Sequence, residues 1–176
     1  NRGQCRYTRG NIINEDFSGQ HHWLELDNNP KAEIINMFSS SEKIIFPDIS
    51  RDSSFYYDTD QFFTQETAFA INGSKLKYLT GMLNSKCVTY IYKTFYAGGG
   101  LGESTIRYKK KFLEMLPIPN PNKEDEDIIS ELVIDIQKAK VLGNSRDVKE
   151  KTLIIEKKAC KLYNLTDEEI YIIENM

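Results

Sequence analysis

The sequence predicts an α+β fold: a small mixed β-sheet domain with packed helices over residues 1–121, followed by a C-terminal helical hairpin over 122–176. Three observations carry this expectation. Short β-branched and aromatic runs, KIIFPDIS, SFYYD and QETAFAI, crowd the stretch before Gly73. Apolar residues at helical spacing begin at Leu76 and recur to Phe95. Two amphipathic segments separated by Gly143-Asn144 fill the tail.

Residues 1–28 mix Arg, Gly, Asn and aromatic residues without a sustained period, as short strands and loops do. Asn29-Pro30 opens a short helix with Ile34, Ile35 and Phe38 on one side, ended by Ser39 to Ser41. KIIFPDIS reads as an edge or bulged strand, because Pro47 removes a ladder donor. SFYYD and QETAFAI are two more strands, the second alternating Thr67, Phe69 and Ile71 against Ala68 and Ala70. Leu76, Leu79 and Leu83 then follow Ser74, a cap candidate, and Val88, Ile91, Tyr92 and Phe95 form a buried face behind a Ser85 cap. Asn84-Ser85 is read as a break between two helices. AGGGLG is too flexible for helix or central strand, and Pro117, Pro119 and Pro121 extend the exit segment. A stripe of Ile128, Ile129, Leu132, Val133, Ile136 and Leu142 marks the first tail helix, and Val148, Ile155, Ala159, Leu162 and Tyr163 the second. Thr166 and Glu169 have capping-box spacing for a last short helix.

With 176 residues and 40% hydrophobic content the chain is long enough for one sizeable core, alone or with an appendage. Net charge is −3, which argues against a general polyanion binder, but the charge is uneven. Residues 1–121 hold 14 Lys and Arg against 13 Asp and Glu, and 122–176 hold 9 against 13. Arg2, Arg6 and Arg9, and separately Arg107, Lys109, Lys110 and Lys111, make two basic patches on a nearly neutral body. Cys5, Cys87 and Cys160 lack any C-x-x-C spacing, so reduced thiols are expected rather than a disulfide framework or zinc site. No apolar run approaches the roughly 20 residues of a membrane span, so a soluble cytoplasmic protein is expected. The opening NRGQCRYTRGN has no initiator Met, which suggests a piece of a longer polypeptide.

Several chemistries find no support in the residues. A phosphate loop needs Lys after its last glycine, and Glu103 follows Gly102 here. Pro47-Asp48 with the distant Glu156-Lys157-Lys158 has the outline of a nuclease signature, but the second half lies in an amphipathic tail helix and both fragments are common by chance. The SRDSS turn has no oriented His to activate a Ser. In QHHWLEL, His21 and His22 would point to opposite faces of a strand and could not easily share a metal; local packing, or stacking of Trp23 or a His on a base, are the readings left open. No catalytic or metal constellation is identified.

The order KIIFPDIS, FYYDTDQFF, ETAFAI, YLTGMLNSK, RYKKKFLEMLPIP and KLYNLTDEEIYIIE resembles the TaqI-like C-terminal specificity domain. That family supplies the target-recognition part of N6-adenine DNA methyltransferases and of fused type II restriction-modification enzymes. The likeness is best over 43–119 and 162–174, and most specific at the LNSK helix junction and the LPIP exit. It implies sequence-specific binding of double-stranded DNA by a non-catalytic segment in a prokaryotic cytoplasm. The methyltransferase domain, with its S-adenosylmethionine, would lie upstream, alone or fused to an endonuclease. In agreement, the Asn/Asp-Pro-Pro-aromatic motif of adenine methyltransferases and a glycine motif for the cofactor are both lacking. Arg107, Lys109, Lys110 and Lys111 are then candidate phosphate contacts against the alternative of a solvated face, and Arg9, His21, Trp23 and Arg51 candidate groove or base contacts. Gly98, Gly99, Gly100 and Gly102 would let the adjoining loop adjust to the DNA backbone. The competing reading is a protein-interaction or dimerisation module built on the hairpin.

Overall fold

The computed structural model describes residues 6–8, 11–13, 32–64, 67–96 and 105–175. It forms two compact units, 1–39 and 40–176. In the first, β1 (Arg6–Thr8) pairs antiparallel with β2 (Asn11–Ile13), Arg6 opposite Ile13, and α1 spans Ala32–Ser39. Ile35 of the expected apolar side is 43% exposed; Pro30 and the side chains of Ile34 and Phe38 lie outside the described residues.

The second unit is built on a three-stranded antiparallel sheet of order β5-β3-β6, formed by β3 (Lys43–Pro47), β5 (Tyr56–Asp58) and β6 (Ala68–Ile71). The expected edge strand is therefore the central one. Asp48 N–H donates to Thr67 O, continuing the ladder on the β6 side, so the nitrogen of Pro47 faces the β5 side. There the pairing has already ended at Ile45 opposite Tyr56, and the missing donor leaves no partner stranded. Ile44 and Phe46 bury one face of β3 together with Tyr57 opposite Ile44. On the other face Lys43 and Asp58 stand opposite each other, both completely buried, with Nζ 2.6 Å from Oδ2. Nζ has no well-directed hydrogen bond among the described residues, so charge holds this pair. The carboxylate also accepts from Asp60 N–H and Phe62 N–H, which pins the turn after β5.

Over the core face lies α2 (Leu76–Leu83), buried on nearly every side through Leu76, Tyr78, Thr80, Gly81, Met82 and Leu83. Its N-cap is not Ser74 but Lys75, held left-handed at φ 55°, with Nζ bound to Asn120 Oδ1 and Glu126. No side chain caps the helix, and the Lys75 ammonium is instead tied to distant partners. The predicted break occurs at Asn84-Ser85, and Ser85 Oγ caps α3 (Lys86–Ile91) by accepting from Val88 N–H. A π turn over Tyr92–Tyr96 follows. Its wider turn rotates Phe95 out, to 71% exposure, while Tyr96 continues the core face beneath Tyr92.

The exit segment is extended, and Pro119 O accepts from the Tyr78 hydroxyl. It leads into α5 (Lys123–Val141), capped by Asn122 with Glu124, Asp125 and Glu126 in its first turn, where the helix dipole favours acids. α6 spans Ser145–Leu162 and α7 Asp167–Glu174, the latter with both halves of the Thr166/Glu169 capping box formed. Lys158 pairs with Asp125 and Lys151 with Asp135, the register of an antiparallel hairpin. Ile129, Val133, Ile155 and Ala159 bury its stripe against α2, but Leu142 stays 81% exposed because α5 has ended there. Among the described residues no helix is long and apolar enough to cross a membrane.

Two amides close the β5 edge of the sheet. Phe55 N–H donates to Asn84 Oδ1 and its carbonyl accepts from Asn84 Nδ2, at 3.0 and 2.7 Å; Tyr57 makes the same two bonds with Gln137 of α5, both at 3.0 Å. Alternate residues of the edge thus bond to side chains as they would to a further strand. Lys86 N–H, at the start of α3, donates to the Glu156 carboxylate of α6, and burial pushes that carboxyl's pKa up. The acid of the nuclease-like triplet therefore serves as a helix cap.

A Cβ on Gly81 would sit 2.5 Å from Ile129 Cγ2 and 3.2 Å from Val133 Cγ2. Gly81→Ala should lower stability by about 1–2 kcal/mol, since overpacking of about 1–3 kcal/mol exceeds the helix-propensity gain. A reduced urea midpoint at unchanged m-value checks this.

Candidate nucleic-acid interface

The basic residues meet on a short ribbon at the Pro47 end of β3. Here β4 (Ile49–Ser50) pairs antiparallel with β7 (Ile106–Arg107), Ile49 opposite Arg107 and Ser50 opposite Ile106. Tyr108 N–H donates to Asp48 O and extends the pairing by one residue. Arg51 follows β4 directly, so the ribbon brings together two arginines that are 56 positions apart in sequence. After β7 the chain turns into α4 (Lys110–Leu113), which carries Lys110 and Lys111 behind its N-cap, Lys109.

Hydroxyls from α3 and the π turn set the position of this ribbon. The side chain of Tyr92 is fully buried; its O–H donates to Arg107 O at 2.8 Å and accepts from Lys109 N–H at 3.0 Å. One phenol thereby fixes both flanks of Tyr108. The Tyr108 hydroxyl lies 3.1 Å from Ser53 Oγ, which also bonds to Thr89 of α3, so the turn that carries Arg51 is held by the same helix. Tyr108 packs edge-on against Phe55 and Phe46, joining the ribbon to the sheet core. Burial raises the pKa of Tyr92, opposed by the Lys109 N–H bond and supported by the Asp48 charge; burial also raises that of Tyr108, against the Ser53 bond.

The cations differ in their freedom. Arg107 is half-exposed and engaged by Asp48, with Nη2 3.3 Å from Oδ2 and Nε 3.4 Å from Oδ1. Lys110 lies 3.7 Å from Glu114, one turn on. Lys109 reaches over the Phe112 ring, 5.8 Å from its centroid. Among the described residues Arg51, Lys109 and Lys111 have no carboxylate within ion-pair distance, and all three are exposed. The structure thus gathers Arg51, Arg107, Lys109, Lys110 and Lys111 around one ribbon. Arg9, His21, Trp23, Gly98, Gly99, Gly100 and Gly102 lie outside the described residues. Sequence reasoning missed Asp48, noticed only as half of a nuclease-like dipeptide, and the hydroxyl role of Tyr92, noticed only as part of an apolar face.

Residues 6–118 match the profile of the TaqI-like C-terminal specificity domain. Comparison with curated proteins finds no match. Among solved structures, the Type IIL restriction-modification enzyme MmeI in complex with DNA is similar, with a TM-score of 0.56 at 14% identity over 78% of this chain. This chain spans 22% of that enzyme's chain.

Tyr92→Phe should leave Arg107 O and Lys109 N–H without their partner and cost about 1–2 kcal/mol by denaturant titration. A pH series has a definite sign. Because burial raises the folded-state pKa of Tyr92 and Tyr108, their contribution is complete below the unfolded tyrosine value of about 10 and is lost as pH rises through the folded values. The midpoint should therefore fall on the alkaline side of pH 10, less steeply in the Tyr92→Phe variant.

Proposed function

Because the chain belongs to the TaqI-like C-terminal specificity domain family, we propose that it recognises a target sequence in double-stranded DNA on behalf of a restriction-modification enzyme. The observation that supports this most is the β4-β7 ribbon, which presents Arg51, Arg107 and the Lys109 to Lys111 cluster from one rigid base. Phosphate contacts from Lys109, Lys110 and Lys111 would set the register on the duplex, while Arg51 approaches a base edge. The methylation chemistry belongs to an adenine-specific methyltransferase domain upstream in the same polypeptide, which binds S-adenosylmethionine; this segment is non-catalytic. Residues 1–121 are the recognition part and 122–176 the helical part that supports it. The near-neutral charge of the recognition part implies weak affinity for random DNA, since non-specific binding scales with the phosphates neutralised.

A second reading draws on the exposed Val141 and Leu142 at the turn of the hairpin and Leu153 and Ile154 on α6, which would suit a protein partner. Sedimentation of a Val141→Glu/Leu142→Glu variant separates the two: a smaller assembly with DNA affinity intact favours the partner.

The intact enzyme with Lys109, Lys110 and Lys111 changed to Ala should bind all duplexes more weakly. The slope of log affinity against log salt should fall by up to about 3, close to one per lost phosphate contact. Equal affinity and slope for the variant and the wild type between about 50 and 200 mM salt would refute the assigned patch.

A further inference from the structure

The Asp48–Arg107 pair has a geometry that an ordinary surface ion pair does not need. Asp48 takes the side of the guanidinium, Nε and Nη2, at 3.4 and 3.3 Å. A guanidinium carries five donors in a planar fork, so side-on binding leaves the end-on pair, Nη1 and the second N–H of Nη2, unused. The side chains of Arg107 and Asp48 are 52% and 23% exposed, so the fork is open to solvent while its carboxylate is partly shielded. The backbone beneath is fixed at three points: Ile49 opposite Arg107, Tyr108 N–H on Asp48 O, and the Tyr92 hydroxyl on Arg107 O. None of the three uses the Asp48 side chain.

From this geometry we infer that Arg107, oriented by Asp48, reads the O6 and N7 acceptors of one guanine in the major groove, and that Asp48 is the positioning residue for that contact. The inference rests on the DNA-recognition reading above and assigns Arg107 to sequence readout rather than to the phosphate backbone. Two arguments favour the base. The Asp48 carboxylate offsets the Arg107 charge and would repel a phosphate, whereas a guanine edge is neutral and offers the two acceptors that an end-on fork matches. A guanidinium locked in one plane also discriminates between base pairs in a way that a freely rotating Lys does not.

The test uses the intact enzyme, with a target selected from a randomised duplex library and then a panel of single base-pair changes and 7-deazaguanine substitutions. Arg107→Ala should lose roughly ten- to hundred-fold discrimination at one G·C pair only, and should become insensitive to 7-deazaguanine there. Asp48→Ala, with Arg107 intact, should blunt discrimination at the same pair while binding random DNA more tightly, because a carboxylate has been removed; Asp48→Asn provides the same reading with less disturbance of shape. A purely structural role for Asp48 would not relax one position and strengthen random binding together. If Arg107→Ala weakens binding to all duplexes equally and lowers the salt slope, Arg107 is a phosphate contact and the inference is overturned. If the wild type selects no sequence, the recognition reading fails, and this inference with it.

Discussion

The close approach of α2 to α5 at Gly81 is the constraint on which the rest of the second unit depends. With no Cβ at this position, Ile129 and Val133 pack directly against the backbone of α2, and Ile155 of α6 lies just beyond. The helix is consequently covered by the sheet on one side and the hairpin on the other, which is why its buried residues occupy nearly its whole circumference. The C-terminal helices are thus part of the core that contains the sheet, and their apolar stripe is spent inside it.

Buried polar groups then fix register within that core. Asn84 and Gln137 bond to Phe55 and Tyr57 as a neighbouring strand would, which blocks edge pairing with another chain and ties α2 and α5 to the same strand. The Lys43–Asp58 pair lies on the opposite face of the sheet. Removing two charges from water is costly, so such a pair adds little stability; losing one partner would leave the other buried and uncompensated. What the pair supplies is a single register for β3 against β5, together with a carboxylate that orders the turn to Phe62.

The same architecture sets the interface. α3 begins at the Ser85 cap, is anchored to α6 through Glu156, and turns Thr89 and the following Tyr92 toward the ribbon. Those two hydroxyls, with Ser53 between Thr89 and Tyr108, position the segments that carry Arg51 and Arg107 to Lys111. A helix packed on both core and hairpin gives these cations a rigid base.

By itself the sequence determined what depends on neighbours a few residues apart. The α+β class, the break at Asn84-Ser85, the Ser85 cap, the Thr166/Glu169 box and the tail hairpin were all legible, because helical period and capping chemistry act within one or two turns. The order of motifs also carried the family resemblance. Tertiary structure alone decided the central place of β3, the Lys75 cap in place of Ser74, the outward rotation of Phe95 and the pairing of Asp48 with Arg107. Each of these turns on a partner tens of residues away or on a change in helical pitch. Local periodicity is blind to both, since a Pro in a strand or an acid beside it reads the same whichever strand arrives next to it.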